Sequence, residues 1–217
     1  MGEILLVTRP KFDDATEYLS YYASLILKEA DNLRIEKKDF SGKEVTSKNI
    51  SKFIEKKNPK LIFVNGHGDP NSLEGDEGEI IFSVQKNVHL LKDKLLYARA
   101  CNAGLIFGKE MVKNNGGCFI GYNTPFTFWI DGKYSAIPAK DTLASLFLMP
   151  SNEIVNSLIK GHSAKSSNEK SKKMMIENMK KILQMEEKNE PGAMGWLGAL
   201  WNNYEGQVVH GNEEMYF

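Results

Sequence analysis

The chain reads as an α/β protein with a mostly parallel central sheet and helices on both faces. Three observations predict it. Apolar runs of strand length recur at residues 4–7, 61–64, 95–100 and 118–122. Between them lie segments whose apolar residues are spaced by three and four, the helical period. Strand and helix signals therefore alternate, and that order builds parallel strands through right-handed crossovers. With 217 residues and 41% hydrophobic content there is material for one good core, so residues 1–217 are read as a single domain.

Residues 3–8 form the first strand, broken by Arg9-Pro10. Asp13 or Asp14 then caps a helix through Tyr18, Tyr22, Leu25 and Ile26. Residues 33–40 alternate like a half-buried strand. Thr46 or Ser47 starts a second helix through Ile50, Phe53 and Ile54, which Asn58-Pro59 ends. After the strand at 61–64, residues 65–78 read as loop and 79–84 as a short extra strand, one half of a hairpin. The strand at 95–100 is followed by a helix over 105–113 and a strand over 118–122. Beyond Pro125 the pattern is helical: 139–147 and 151–160 as two helices divided by Met149-Pro150, then a lysine-rich segment over 163–190. Its Met174, Met175, Ile176, Met179, Ile182, Leu183 and Met185 make an apolar stripe that reads as core. Residues 163–217 are expected to pack on the body as a helical segment, with 163–172 the best linker candidate.

Lysine plus arginine and aspartate plus glutamate stand at 28 each, so global charge makes no case for nucleic acid or an anionic membrane. No apolar run reaches bilayer length, and Met1-Gly2-Glu3 runs straight into a strand without the basic flank of a signal peptide. Two cysteines in a chain with a sufficient core need no bridge. The expectation is a reduced, cytoplasmic protein.

Two strand ends carry the chemistry. Residues 61–64 run into Asn65-Gly66-His67-Gly68, and 95–100 run into Cys101-Asn102-Ala103-Gly104, with 34 positions between His67 and Cys101. If the two strands are parallel neighbours, imidazole and thiol leave the same sheet edge. A thiolate needs a base, and a tetrahedral oxyanion needs fixed donors. His67 supplies the base. Gly68 has no Cβ, so its N–H can approach a substrate carbonyl closely. The Cys101 N–H, close to a helix start, is a second donor, and the helix dipole there favours the thiolate. Taken singly, a buried cysteine is a small core hydrophobe and a histidine in a glycine-rich loop is a turn residue. Jointly, both fall just past strand ends beside glycine, and catalysis accounts for that coincidence. Cys118, at a strand start, reads as core. His89, His162 and His210 have no partners at ligand spacing, so neither metal nor cofactor is expected.

These two segments resemble the catalytic blocks of the caspase-like cysteine peptidases, the group of caspases, metacaspases, gingipains, separase and the bacterial CHAT domains. CHAT domains are the nearest pattern. Gly116-Gly117-Cys118-Phe119-Ile120-Gly121 resembles their glycine-rich turn and strand, and Trp129-Ile130-Asp131 their tryptophan-then-aspartate element. The similarity spans about residues 60–131. It implies a three-layer caspase-like sandwich and an endopeptidase acting on protein or peptide substrates. Cys101 would be the nucleophile, His67 the base, and the Gly68 and Cys101 amides the oxyanion hole. It also implies control by a protein partner or by processing.

Arg99 departs from the group, since metacaspase-like relatives carry an aspartate there and CHAT domains a small residue. Strand alternation puts Arg99 on the side of Cys101, where a free guanidinium would line the specificity pocket and select an acidic or polar residue. If Asp131 lines the pocket instead, a basic residue is selected. Asp69 is a candidate orienter of His67, though a solvated loop carboxylate is the plainer reading. The acidic loop from Asp69 through Glu74, Asp76 and Glu77 to Glu79 does not match a calcium-binding pattern. The rival to a peptidase is a catalytically inactive CHAT-like scaffold that binds proteins.

Overall fold

A computed structural model describes residues 3–217, with Asn114 and Asn115 described by backbone alone. Six strands form one sheet in the order β2-β1-β3-β6-β7-β8. They are β1 (Ile4–Arg9), β2 (Glu36–Ser41), β3 (Leu61–Asn65), β6 (Leu95–Arg99), β7 (Cys118–Tyr122) and β8 (Gln207–Gly211). The first five are mutually parallel, and β8 runs antiparallel to β7. A separate hairpin pairs β4 (Ser72–Glu74) with β5 (Ile80–Ser83). The expected extra strand is thus β5, and its partner lies inside the stretch read as loop.

The buried runs of β3, β6 and β7 are apolar on both sides because both sheet faces are covered. Leu5, Val7, Phe63, Tyr97 and Ile120 meet α1 (Asp14–Asn32), α4 (Thr142–Ile159), α5 (Ala164–Glu186) and α6 (Ala193–Gly206). Leu6, Ile62, Val64, Leu96 and Phe119 meet α2 (Ser47–Lys57), α3 (Phe107–Asn115) and the hairpin. The expected α/β architecture, helices on both faces of a mostly parallel sheet, is the one observed.

Three expectations are corrected. The two helices predicted on either side of Pro150 are one, α4, with Pro150 inside it. Proline at that position cannot donate to the Leu146 carbonyl, and Asn178 of α5 donates its Nδ2 to that oxygen instead, at 2.8 Å. The linker candidate 163–172 opens α5, where Ala164, Ser167 and Ser171 are buried. The carboxyl-terminal segment is not only helical, because β8 closes one edge of the sheet. The methionine stripe does supply core through Met175, Met179 and Ile182, while Ile176 and Leu183 face outward. No helix among the described residues is long and apolar enough to cross a membrane.

Candidate active site

β3 and β6 are parallel neighbours, with Asn65 opposite Arg99 at their last paired position. His67 and Cys101 each lie two residues beyond that pair, so the two loops leave the carboxyl edge in step. Gly66, at φ 141°, turns the chain out of β3. Gly68 then passes so close to β6 that a Cβ there would sit 3.1 Å from the Ala100 Cβ and 3.3 Å from the Cys101 carbonyl oxygen. A side chain there would need its neighbours to give by a few tenths of an ångström.

The His67 loop is fastened from behind. Gly68 pairs with Leu73 in an isolated antiparallel bridge, with Asp69 N–H donating to Ser72 O and Glu74 N–H to His67 O. In that pattern the Gly68 N–H faces away from its bridge partner. Among the described residues neither the Gly68 nor the Cys101 N–H donates to a protein acceptor. The Cys101 side rests on β7: Asn102, at φ 58°, donates its N–H to Thr124 O, and Gly104 donates to Tyr122 O. Helix α3 begins only at Phe107, beyond the turns of 101–106, so the expected helix-dipole support for Cys101 is absent. Burial pushes the Cys101 thiol above its ordinary value, with Glu74 adding to the shift, and Sγ reaches the Phe126 carbonyl at 3.8 Å.

His67 is held by Asp13. Its Nε2 lies 2.7 Å from Asp13 Oδ2, while Asp13 Oδ1 accepts from the Thr16 N–H as the cap of α1. Burial works against the Asp13 carboxylate, yet the Thr16 amide, the His67 ring and the Thr16 hydroxyl keep its pKa below the ordinary value. With Nε2 engaged, Nδ1 is the ring nitrogen left for proton exchange. Asp69, the expected candidate, instead accepts from the Asn71 and Ser72 amides and the Ser72 hydroxyl. Sequence reasoning placed Asp13 only as a helix cap. Its second role depends on β1 lying beside β3, an adjacency that chain order does not announce.

Arg99 is not free to meet a substrate. It is fully buried, donating from Nε to Asn65 Oδ1, from Nη1 to Asn152 Oδ1 and Ser151 Oγ, and from Nη2 to the Leu19 carbonyl. No carboxylate, Asp131, Asp76 and Glu74 included, is among these acceptors. Asp131 receives the Lys133 amide and lines a cavity of about 530 Å³ with Trp129, Leu143, Glu190 and Trp196. The loop acids are dispersed, with Asp76 accepting from the Lys11 amide and Glu79 from the Ser47 amide. No group of three or more His, Cys, Asp or Glu among the described residues could hold a metal ion.

The central, mostly parallel six-stranded sheet with helices on both faces is that of the caspase-like fold. The chain is similar in structure to the complex of the pro- and mature domains of RgpB from Porphyromonas gingivalis, with a TM-score of 0.57 and 14% sequence identity. That match covers 100% of this chain and 48% of the other, so the chain spans about half the length of the protein it resembles. No protein-family model and no curated protein matches the sequence.

Proposed function

We propose that the chain is a cysteine endopeptidase with a Cys101–His67 dyad oriented by Asp13. The observation that carries this reading is the register of β3 and β6, which brings Gly68 against Cys101 with both of their amides unengaged. RgpB belongs to the gingipains, cysteine peptidases of the same fold, and this supports the class of reaction.

In the proposed cycle Cys101 Sγ attacks the scissile carbonyl carbon, and its proton passes to His67 Nδ1. Negative charge develops on the carbonyl oxygen, where the Gly68 and Cys101 N–H groups are the donors. The C–N bond breaks and His67 protonates the leaving amine. Water, deprotonated by His67, then opens the thioester and returns the thiol. Asp13 fixes the imidazole tautomer throughout.

With Arg99 withdrawn into the core, Asp131 is the substrate contact proposed in its place. Its cavity, walled by two tryptophans and carrying two carboxylates, suits a basic side chain. Digestion of a mixed peptide library tests both points. Cleavage beside lysine or arginine, lost in Cys101→Ala and in His67→Ala, is expected. No cleavage, with Cys101 and Cys118 equally sluggish toward an electrophilic thiol probe, overturns the reading. That outcome would favour the binding scaffold, a reading to which the raised thiol and its contact with the Phe126 carbonyl lend weight. Control by a regulatory protein or by processing is proposed with the activity, since an endopeptidase left unchecked damages its surroundings.

A further inference from the structure

A cavity of about 920 Å³ opens at the edge of the sheet opposite His67 and Cys101, where β1, β3 and β6 begin. Lys94 lines it just ahead of β6 and is only 5% exposed. An ammonium has three N–H donors and no acceptor. Among the described residues that of Lys94 donates to one group, Asn58 Oδ1 at 2.5 Å, and forms no ion pair. Asn58 is the cap that ends α2, in the left-handed conformation (φ 49°) that asparagine tolerates. Two donors of a nearly buried cation are thus left without a protein acceptor beside a cavity, which costs stability unless a ligand or water meets them.

The other charges on the wall do not neutralise it. Glu3 is held by Lys60. Glu55 and Asp93 are then the acids set against Lys56, Lys57, Lys92 and Lys94, a surplus of two cations. Asp93 turns its carboxylate against Gly116, where a Cβ would sit 2.5 Å from Oδ1. Burial holds the Lys94 pKa below its ordinary value, with Asp93 acting in the opposite direction. The dipole at the carboxyl end of α2 favours nearby cations and accounts for Lys56 and Lys57. It supplies no acceptor to the idle N–H groups of Lys94, which bonds the Asn58 side chain and no helix carbonyl. The rest of the wall is aliphatic, through Ile4, Ile54, Pro59 and Leu90, and no aromatic ring among the described residues lines the cavity.

We propose that this cavity binds a small phosphate monoester, its head on Lys94 with the exposed Lys92 at the rim, and its aliphatic body along Ile4, Ile54 and Pro59. A phosphate monoester carries close to two negative charges at neutral pH and three acceptor oxygens, which answers both the surplus charge and the idle donors. A carboxylate brings one charge and two oxygens. Lysine suits the task because it binds phosphate as a compact point charge. The volume falls within the range of about 300–1,000 Å³ common to small-molecule sites. With no ring to stack on, a nucleobase has no counterpart here, so a glycerol or sugar phosphate fits better than a nucleotide. The cavity lies across the sheet from the proposed dyad, and the assignment holds whether or not the chain cleaves peptides.

The test is a titration of isotope-labelled protein with glycerol phosphate at constant ionic strength, read from backbone amide shifts. Saturable shifts centred on residues 54–60 and 90–94 are expected in the wild type. Lys94→Met keeps the chain length and removes the charge, and is expected to weaken binding at least about tenfold. Lys92→Met, at an exposed position, should weaken it about threefold. Lys109→Met, an exposed lysine of α3 outside the cavity, should stay within about twofold of the wild type. Adenosine monophosphate should bind no tighter than glycerol phosphate. The absence of a saturable shift in the wild type overturns the proposal. So does a loss in Lys109→Met equal to that in Lys94→Met, which would mean diffuse attraction to surface lysines. A clear preference for adenosine monophosphate overturns the assigned class of ligand. If Lys94→Met does not fold, a wild-type shift map centred elsewhere, or an unchanged affinity in Lys92→Met, overturns it instead.

Discussion

Asp13 serves His67 and α1 at once: one carboxylate oxygen lies 2.7 Å from His67 Nε2, and the other accepts the Thr16 amide. The two duties separate by substitution. Asparagine is as good a helix cap as aspartate but carries no charge, whereas alanine loses the cap as well, at about 1 kcal/mol. Asp13→Asn is therefore expected to keep the wild-type melting temperature while peptide turnover falls ten- to a hundredfold. Asp13→Ala should lose both. Turnover and thermal unfolding measured on the same preparations check this. Equal turnover in the asparagine variant and the wild type would remove Asp13 from the site.

Gly68→Ala tests the close passage of the histidine loop. The added methyl meets the Ala100 Cβ and the Ser72 carbonyl at 3.1 Å each, so loop or strand must shift. Crowding of this kind costs about 1–3 kcal/mol. Because the displaced atoms include the proposed oxyanion donor, kcat should fall about a hundredfold or more with KM little changed. Steady-state kinetics on a cleaved library peptide would measure the split.

The strands that build the site were legible because each is a compact apolar run ending on small residues. β3, β6 and β7 were placed to within a residue or two, and the pairing of β3 with β6 makes the histidine and cysteine ends neighbours. Three features were not legible, each for a long-range reason. Asp13 reaches His67 only because β1 lies beside β3. Pro150 stays within a helix because a side chain 28 positions later satisfies the carbonyl it leaves bare. Arg99 disappears into the core because amides and hydroxyls from α4 and β3 converge on it. Local spacing cannot register partners so far away in sequence.

Asp69 makes the histidine loop sensitive to acid. Burial raises its pKa, but the Ser72 hydroxyl and the Asn71 and Ser72 amides outweigh this and hold it below the ordinary value. A carboxyl whose folded pKa is depressed stabilises fully above its unfolded value of about 4, and that contribution is lost as the pH falls through the folded value. The urea midpoint of the wild type should exceed that of Asp69→Asn at neutral pH, and the gap should narrow as the pH drops below about 4. A gap constant across that range would show that the carboxylate charge contributes nothing to the loop.

The two thiols should part company in labelling. Cys118 is fully buried at the start of β7, and burial pushes its pKa up to about 12. Cys101 is partly exposed, just past the end of the strand that pairs with the one leading to His67. At neutral pH an electrophilic probe is expected to modify Cys101 at least tenfold faster than Cys118, with the preference reduced in His67→Ala. Peptide mapping after timed labelling gives both rates from one sample.

Pro150 and Asn178 should be energetically coupled. Proline leaves the Leu146 carbonyl without its helical donor, and Asn178 Nδ2 takes the place at 2.8 Å. Asn178 is nearly buried between α4 and α5, so water cannot readily replace it. Removing it from the wild type strands a buried acceptor, a loss of about 1–3 kcal/mol. In a Pro150→Ala background the alanine N–H can donate to Leu146 directly, so the same Asn178→Ala change should cost less by about 1 kcal/mol or more. Urea unfolding of the wild type, both single variants and the double variant closes the cycle. Additive losses would mean that α4 tolerates its proline by bending the carbonyl toward solvent, with Asn178 merely adjacent.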